Sequence, residues 1–129
     1  MNIGEAAKLS GLSAKMIRHY ESLGLIPSRR LANGYRNYAD ADVTTLRFIR
    51  HARALAFPLD DVGKLLALWG DEKRCSADVR RIALDHVEAL ESKAQAMQAM
   101  ASSLRHLAAH CTGDDRPDCP ILNELEKTL

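Results

Sequence analysis

A chain of 129 residues, 47% apolar and 27% charged, suits one small soluble domain with an appendage, and aromatics at only 5% favour aliphatic helix packing over a sheet-rich core. No run of about 18 apolar residues occurs, so no membrane span or membrane partner is expected. The start lacks the basic end and apolar stretch of a signal peptide, and three cysteines cannot all pair within one chain, so a cytoplasmic location with reduced thiols is expected. The net charge of +1 hides an asymmetry: residues 1–55 hold nine Lys and Arg against four Asp and Glu, a net +5, whereas residues 56–129 hold nine against thirteen, a net −4. A basic head on an acidic body fits a polyanion bound at one end.

Ile3 to Leu9 is a short helical candidate with Ile3, Ala6, Ala7 and Leu9 available for a core, broken by Ser10-Gly11-Leu12. Ser13 then suits the N-cap of a second helix, Ala14 to about Ser22. Helix, short turn with Gly and helix form the pattern in which the second helix enters the major groove. Its early exposed positions are Ala14, Lys15 and Arg18, with His19 nearby and Ile17 inward. An Arg such as Arg18 suits bidentate reading of guanine, and Lys15 acts as a point charge on phosphate or base. Gly24 stands where a helix C′ residue belongs, and Pro27 prevents the helix from resuming. Asn33-Gly34 marks a hairpin turn, with Tyr35 and Tyr38 on short flanks and Arg29, Arg30 and Arg36 as a basic rim. A third helix begins at Asp40-Ala41-Asp42-Val43, with Asp40 or Asp42 as N-cap and Val43, Leu46, Ile49 and Leu55 on its core stripe. Arg47, Arg50, His51 and Arg53 sit off that stripe. A fourth helix, Val62 to Trp69, follows a turn at Phe57-Pro58, and Trp69 reads as core or hinge packing.

Ala83, Val87, Leu90, Ala94, Met97, Ala101, Leu104 and Ala108 repeat in alternating steps of four and three, with no Pro or Gly between them. That heptad rhythm predicts one long helix from Ser76 to His110 whose narrow seam needs a second helix, most economically that of a second copy. Beyond it, Cys111 and Cys119 flank a seven-residue loop, and Pro120 at the first position of a final helix places Cys119 at its N-cap. Two convergent thiolates form a soft site, although a disulfide or two unrelated surface thiols fit the spacing as well. His86, His106 and His110, on or beside the rod, read as solvated or packing helix residues, and Met97 and Met100 as core. No nucleophile–base set, phosphate loop or zinc-hydrolase motif is present, so no enzyme is expected.

Two stretches carry a resemblance. Residues 3–27 read I-x-x-A-A-x-x-S-G-L-S and then M-I-R-H-Y-E-x-x-G-L-I-P, followed by N-G-Y-R-N-Y at 33–38. These resemble the MerR family of transcriptional regulators, and C-x-G-D-D-x-x-D-C-P-I-L from Cys111 looks like its copper-responsive branch. The resemblance implies a mainly α fold: a winged helix-turn-helix head with a small two-stranded wing and linker helices (1–69), a long dimerisation helix pairing as an antiparallel coiled coil (76–110), and a metal-binding loop with a short C-terminal helix (111–129). It implies DNA contacts from Lys15, Arg18, Tyr20, Tyr35 and Arg36, with His19 beside them, and packing of Arg53 toward the DNA backbone. It implies Cu(I), or another monovalent coinage-metal ion such as Ag(I) or Au(I), held by Cys111 and Cys119. The partners implied are double-stranded promoter DNA, a second copy in a homodimer, and RNA polymerase on the same promoter. The function implied is activation of metal-resistance or efflux genes by distorting promoter DNA.

One position keeps the metal open. The resemblance puts Ser in copper sensors and Cys in divalent sensors 35 residues before Cys111, where this chain has Ser76, but Cys75 is one residue earlier. One step turns a helical side chain by about 100°, so Cys75 is expected to point away. A divalent heavy-metal sensor (Zn, Pb or Hg) using Cys75 is the alternative, and a thiol redox switch at Cys111 and Cys119 is another.

Overall fold

The computed structural model describes residues 1–28, 31–114 and 116–127. Among them are six helices: α1 Ile3–Ser10, α2 Ala14–Ser22, α3 Asp40–Ala54, α4 Leu59–Trp69, α5 Ser76–Ala109 and α6 Pro120–Glu126. They fall into two compact units, Met1–Ile82 and Ala83–Leu129, with α5 running through the boundary. No described helix is long and apolar enough to cross a membrane.

In the first unit, local chemistry sets the helix ends. Asn2 accepts the Glu5 N–H at 2.8 Å to start α1, and Ser13 accepts the Met16 N–H at 3.1 Å to start α2. Gly11 closes α1 at φ 79°, a left-handed conformation that Gly adopts without strain. The same position lies against Arg50, whose guanidinium would collide with any Cβ there. The N-cap of α3 is Ala39, one residue before the expected Asp40. Asp42 accepts the Ala39 N–H at 2.9 Å, so it works as the third helical residue rather than as the cap.

The core of this unit is made by Ala6, Ile17, Tyr20, Ile26, Tyr38, Val43, Leu46, Ile49, Ala52 and Val62. Three expectations about it change. Leu55 is 64% exposed, because α3 stops at Ala54 and the chain then turns through Ala56 at φ 63°; Ala52 takes the inward place instead. Leu9 is exposed, and Ala6 with Ser10 forms the buried face of α1. Helix α4 begins at Leu59, three residues before Val62, with Asp60 and Asp61 in its first turn where the helix dipole favours acid. Trp69 is 44% exposed and stacks on Phe48 with ring centroids 4.6 Å apart.

Helix α5, shared between the two units, spans 34 residues and ends at Ala109, one residue short of the expected His110. At 1.5 Å per residue the whole helix is about 50 Å long. Val87, Leu90, Met97 and Leu104 of the seam, and Met100 beside it, are all exposed in the single chain.

Candidate functional site

The face of α2 separates by helical period. Ile17 and Tyr20 turn into the core, while Lys15, Arg18 and His19 stay exposed. Tyr20, expected among the DNA contacts, is 3% exposed and packs in the core rather than on the exposed face of α2.

Residues 31–38, after α2, form a hydrogen-bonded turn. Leu31 N–H donates to Tyr35 O at 2.7 Å, Gly34 N–H to Leu31 O at 2.9 Å, and Tyr35 N–H to the Asn33 side chain at 3.1 Å. Gly34 takes φ 85°, as the Asn-Gly pair requires. Among the described residues the two-stranded wing reduces to a single bridge at Arg36, and Arg29 and Arg30 lie outside the described residues. Tyr38 N–H donates to Met1 O at 2.8 Å, which ties this turn to the start of α1. Arg18, Tyr35 and Arg36 share the lining of a cavity of about 640 Å³ between α2 and the turn. Tyr35 is 73% exposed.

Glu21 is the residue that sequence reasoning missed. Its carboxylate is buried beside Arg36 Nε at 2.9 Å and accepts the Tyr38 hydroxyl proton at 3.2 Å. The Arg36 pair is a close charge contact without hydrogen-bond alignment, since Arg36 Nε and Glu21 Oε1 have no aligned partner. Burial first, and then the Glu21 charge, push the Tyr38 hydroxyl above its ordinary pKa. The signal was available: Glu21 follows Ile17 by four residues, on the buried side of α2. Its effect is to fix Arg36 and Tyr38 against the recognition helix.

The arginines of α3 act first as braces. Arg47 Nε donates to Leu9 O at 3.0 Å, Arg50 covers Gly11, and Arg53 Nη1 donates to Phe57 O at 2.7 Å. Arg53 thereby holds the strained turn at Ala56.

In the second unit the loop after α5 brings Cys111 and Cys119 together. The Cys119 thiol is held below its ordinary pKa, chiefly by the Leu122 backbone N–H and then by the Ile121 N–H and the Cys111 thiol, with partial burial opposing them. Cys119 is the N-cap residue of α6 with Pro120 first in the helix, as the sequence predicts. Between the cysteines, Gly113 takes φ 65°, and Arg116 closes on Asp114 through Nε at 2.9 Å and Nη2 at 2.8 Å. That pair, with the Arg116 N–H, draws the Asp114 carboxyl below its ordinary pKa. Cys75 and Ser76 both stand exposed at the start of α5 in the first unit. Among the described residues no three His, Cys, Asp or Glu side chains of the single chain converge as a metal site. The donor set on offer in the loop is two sulfurs, one of them disposed to ionise.

Comparisons with known proteins identify the family. Residues 2–38 match the MerR family regulatory protein family, and residues 43–107 match the MerR, DNA binding family. The chain is 57% identical over 128 residues to the HTH-type transcriptional regulator HmrR of Sinorhizobium medicae (strain WSM419), covering 98% of this chain and 87% of that protein. It is 43% identical over 126 residues to the HTH-type transcriptional regulator CueR of Escherichia coli O6:H1, covering 97% and 93%. Among solved structures it is similar to the transcription regulator PbrR691 from Ralstonia metallidurans CH34 in complex with lead(II), with TM-score 0.83, 30% identity and coverage of 97% and 98%. The chain belongs to the MerR family of transcriptional regulators and is a DNA-binding regulator rather than an enzyme.

Proposed function

We propose that this regulator senses Cu(I), or another monovalent coinage-metal ion, in the cytoplasm and activates metal-resistance or efflux genes by distorting promoter DNA. Regulators of this family bind promoter DNA as dimers. In our reading the head, residues 1–69, binds one half-site, the helix over 76–110 pairs antiparallel with its copy, and the loop and helix over 111–129 hold the ion. Lys15, Arg18 and His19 face the major groove, with Tyr35 and Arg36 at its edge. Arg53 has guanidinium N–H groups beyond the one held by Phe57, and these suit a phosphate.

The observation that carries the metal assignment is the convergence of Cys111 and Cys119 with thiolate-favouring N–H groups at Cys119. Two thiolates around a monovalent ion leave one net negative charge, which those N–H groups offset. A divalent zinc ion usually takes four ligands. A bound ion supplies charge neutralisation and a cross-link between the end of α5 and the start of α6. The coupling this reading needs between metal and DNA geometry is about 1–3 kcal/mol. The second reading, a divalent sensor that adds Cys75, is favoured by the likeness to a lead-bound regulator.

Transcription from a cognate promoter, titrated with Cu(I), Zn(II), Pb(II) and Hg(II) under reducing conditions, separates them. Our reading expects Cu(I) to activate the wild-type and Cys75→Ser proteins alike, and Cys111→Ser or Cys119→Ser to bind DNA without responding. Activation by a divalent ion that is lost in Cys75→Ser supports the second reading instead.

A further inference from the structure

At the C-terminal end of α5, His106 in the last turn and His110, the residue after Ala109, make a pair of imidazoles outside the Cys111–Cys119 pair. His106 and His110 are four residues apart, both exposed, with ring centroids 4.3 Å apart and planes tilted by 50°. Spacing of i and i+4 puts two imidazoles on one helix face, within reach of a single ion. A second observation fixes the chemistry of one ring. His110 Nδ1 lies 2.8 Å from the His106 carbonyl oxygen. A carbonyl oxygen only accepts, so Nδ1 carries the proton and donates it. In the neutral ring Nε2 is then the atom with the lone pair. An N–H held by a backbone carbonyl is the arrangement that orients imidazoles in metal sites.

The surroundings leave room. His106 lines a cavity of about 470 Å³ with Ser102, Ser103, Leu107 and Glu124. Relative to the heptad seam, His106 is two residues past Leu104 and His110 two past Ala108, each turned by about 200° at 3.6 residues per turn. The pair therefore faces away from the side of α5 that takes the partner helix. The last turn of a helix also carries partial negative charge, which favours a cation there.

We propose that His106 and His110 form a second metal site on the exposed face of the helix end, which takes a borderline divalent ion such as Zn(II) or Cu(II) through two imidazoles, with solvent water filling its remaining coordination positions. Imidazole suits these ions, whereas the thiol pair suits a soft monovalent ion. An ion bridging the two rings also clamps the last turn of α5, from which the loop of Cys111 departs.

The test uses the full chain with Cys75→Ser, Cys111→Ser and Cys119→Ser, its helix content checked by circular dichroism. Calorimetric titration with Zn(II) is expected to show one ion per chain, and His106→Gln or His110→Gln each to weaken binding by about tenfold or more. Cu(II) added to the same protein is expected to show coupling to two nitrogens by electron paramagnetic resonance, reduced to one in either variant. Zn(II) binding that neither substitution changes, or that only one of them weakens, overturns the proposal, as does no binding at all.

Discussion

Every apolar side chain in the buried core lies between Ala6 and Val62, whereas among the described residues past Ile82 the one buried group is His86. The head surrounds its own core with four short helices; α5 leaves Val87, Leu90, Met97 and Leu104 open to solvent. A seam of such side chains is stable in water only when a second helix covers it. The two regions therefore differ in what completes them. In the reading proposed here the head is finished by its own residues and the rod by a second copy, so the stability of the rod is expected to depend on protein concentration while that of the head is not. The same contrast governs the chemistry. Polar groups in the head, such as Glu21 with Arg36 and Tyr38, are spent on rigidity. In the tail the cysteines stay partly open to solvent and available.

The strongest way to break the contrast is to place charge in the seam. Met97→Lys with Leu104→Lys is expected to turn the dimer into monomers across the micromolar range in sedimentation, with the circular dichroism of the head retained. A monomeric wild type would abolish the distinction. Next in size is the head's core: Leu46→Ala should lower its stability by about 2–5 kcal/mol, read by urea unfolding with a midpoint independent of protein concentration. Glu21→Ala leaves the Arg36 charge and the Tyr38 hydroxyl without their carboxylate and should cost about 1–3 kcal/mol.

That network also sets a pH response. Because the fold raises the Tyr38 pKa, the native state keeps a proton that the unfolded chain gives up near pH 10. The stability it contributes is present below that pH and lost as pH rises further, toward the folded-state value. Tyr38→Phe should flatten this part of the stability profile, measured by urea midpoints between neutral and alkaline pH. The smallest effects come from two backbone positions. Gly11→Ala should destabilise by about 1–2 kcal/mol through its left-handed backbone, with the Arg50 collision adding to it. Ala56→Gly should stabilise by about 0.5–1 kcal/mol, since relief of a left-handed alanine outweighs glycine's extra chain entropy. Thermal melts of the two variants should shift in opposite directions.

Periodic features were legible in the sequence. The heptad steps gave α5 to within one residue, Ser13 capped α2, and Pro120 put Cys119 at the start of α6. Features set by contacts between distant residues were not. Leu55 fits the apolar stripe of α3, but periodicity does not show that Ala56 turns the chain and exposes it. Spacing from Ile17 puts Tyr20 and Glu21 on the inward side of α2, but only the packed fold shows the Arg36 and Tyr38 partners beside which the Glu21 carboxylate is buried. Arg47, Arg50 and Arg53 look like a solvated basic face until their partners on Leu9, Gly11 and Phe57 are seen. For the candidate metal site, the spacing of Cys111 and Cys119 suggested a pair, and the Leu122 and Ile121 N–H groups that favour one thiolate came from the folded loop.

X-ray absorption at the copper edge, on the dimer loaded with one Cu(I) per chain under reducing conditions, tests the central claim most directly. The account predicts two sulfur neighbours per copper, unchanged in Cys75→Ser and lost in Cys111→Ser with Cys119→Ser. Three sulfurs per copper, falling to two in Cys75→Ser, would contradict it.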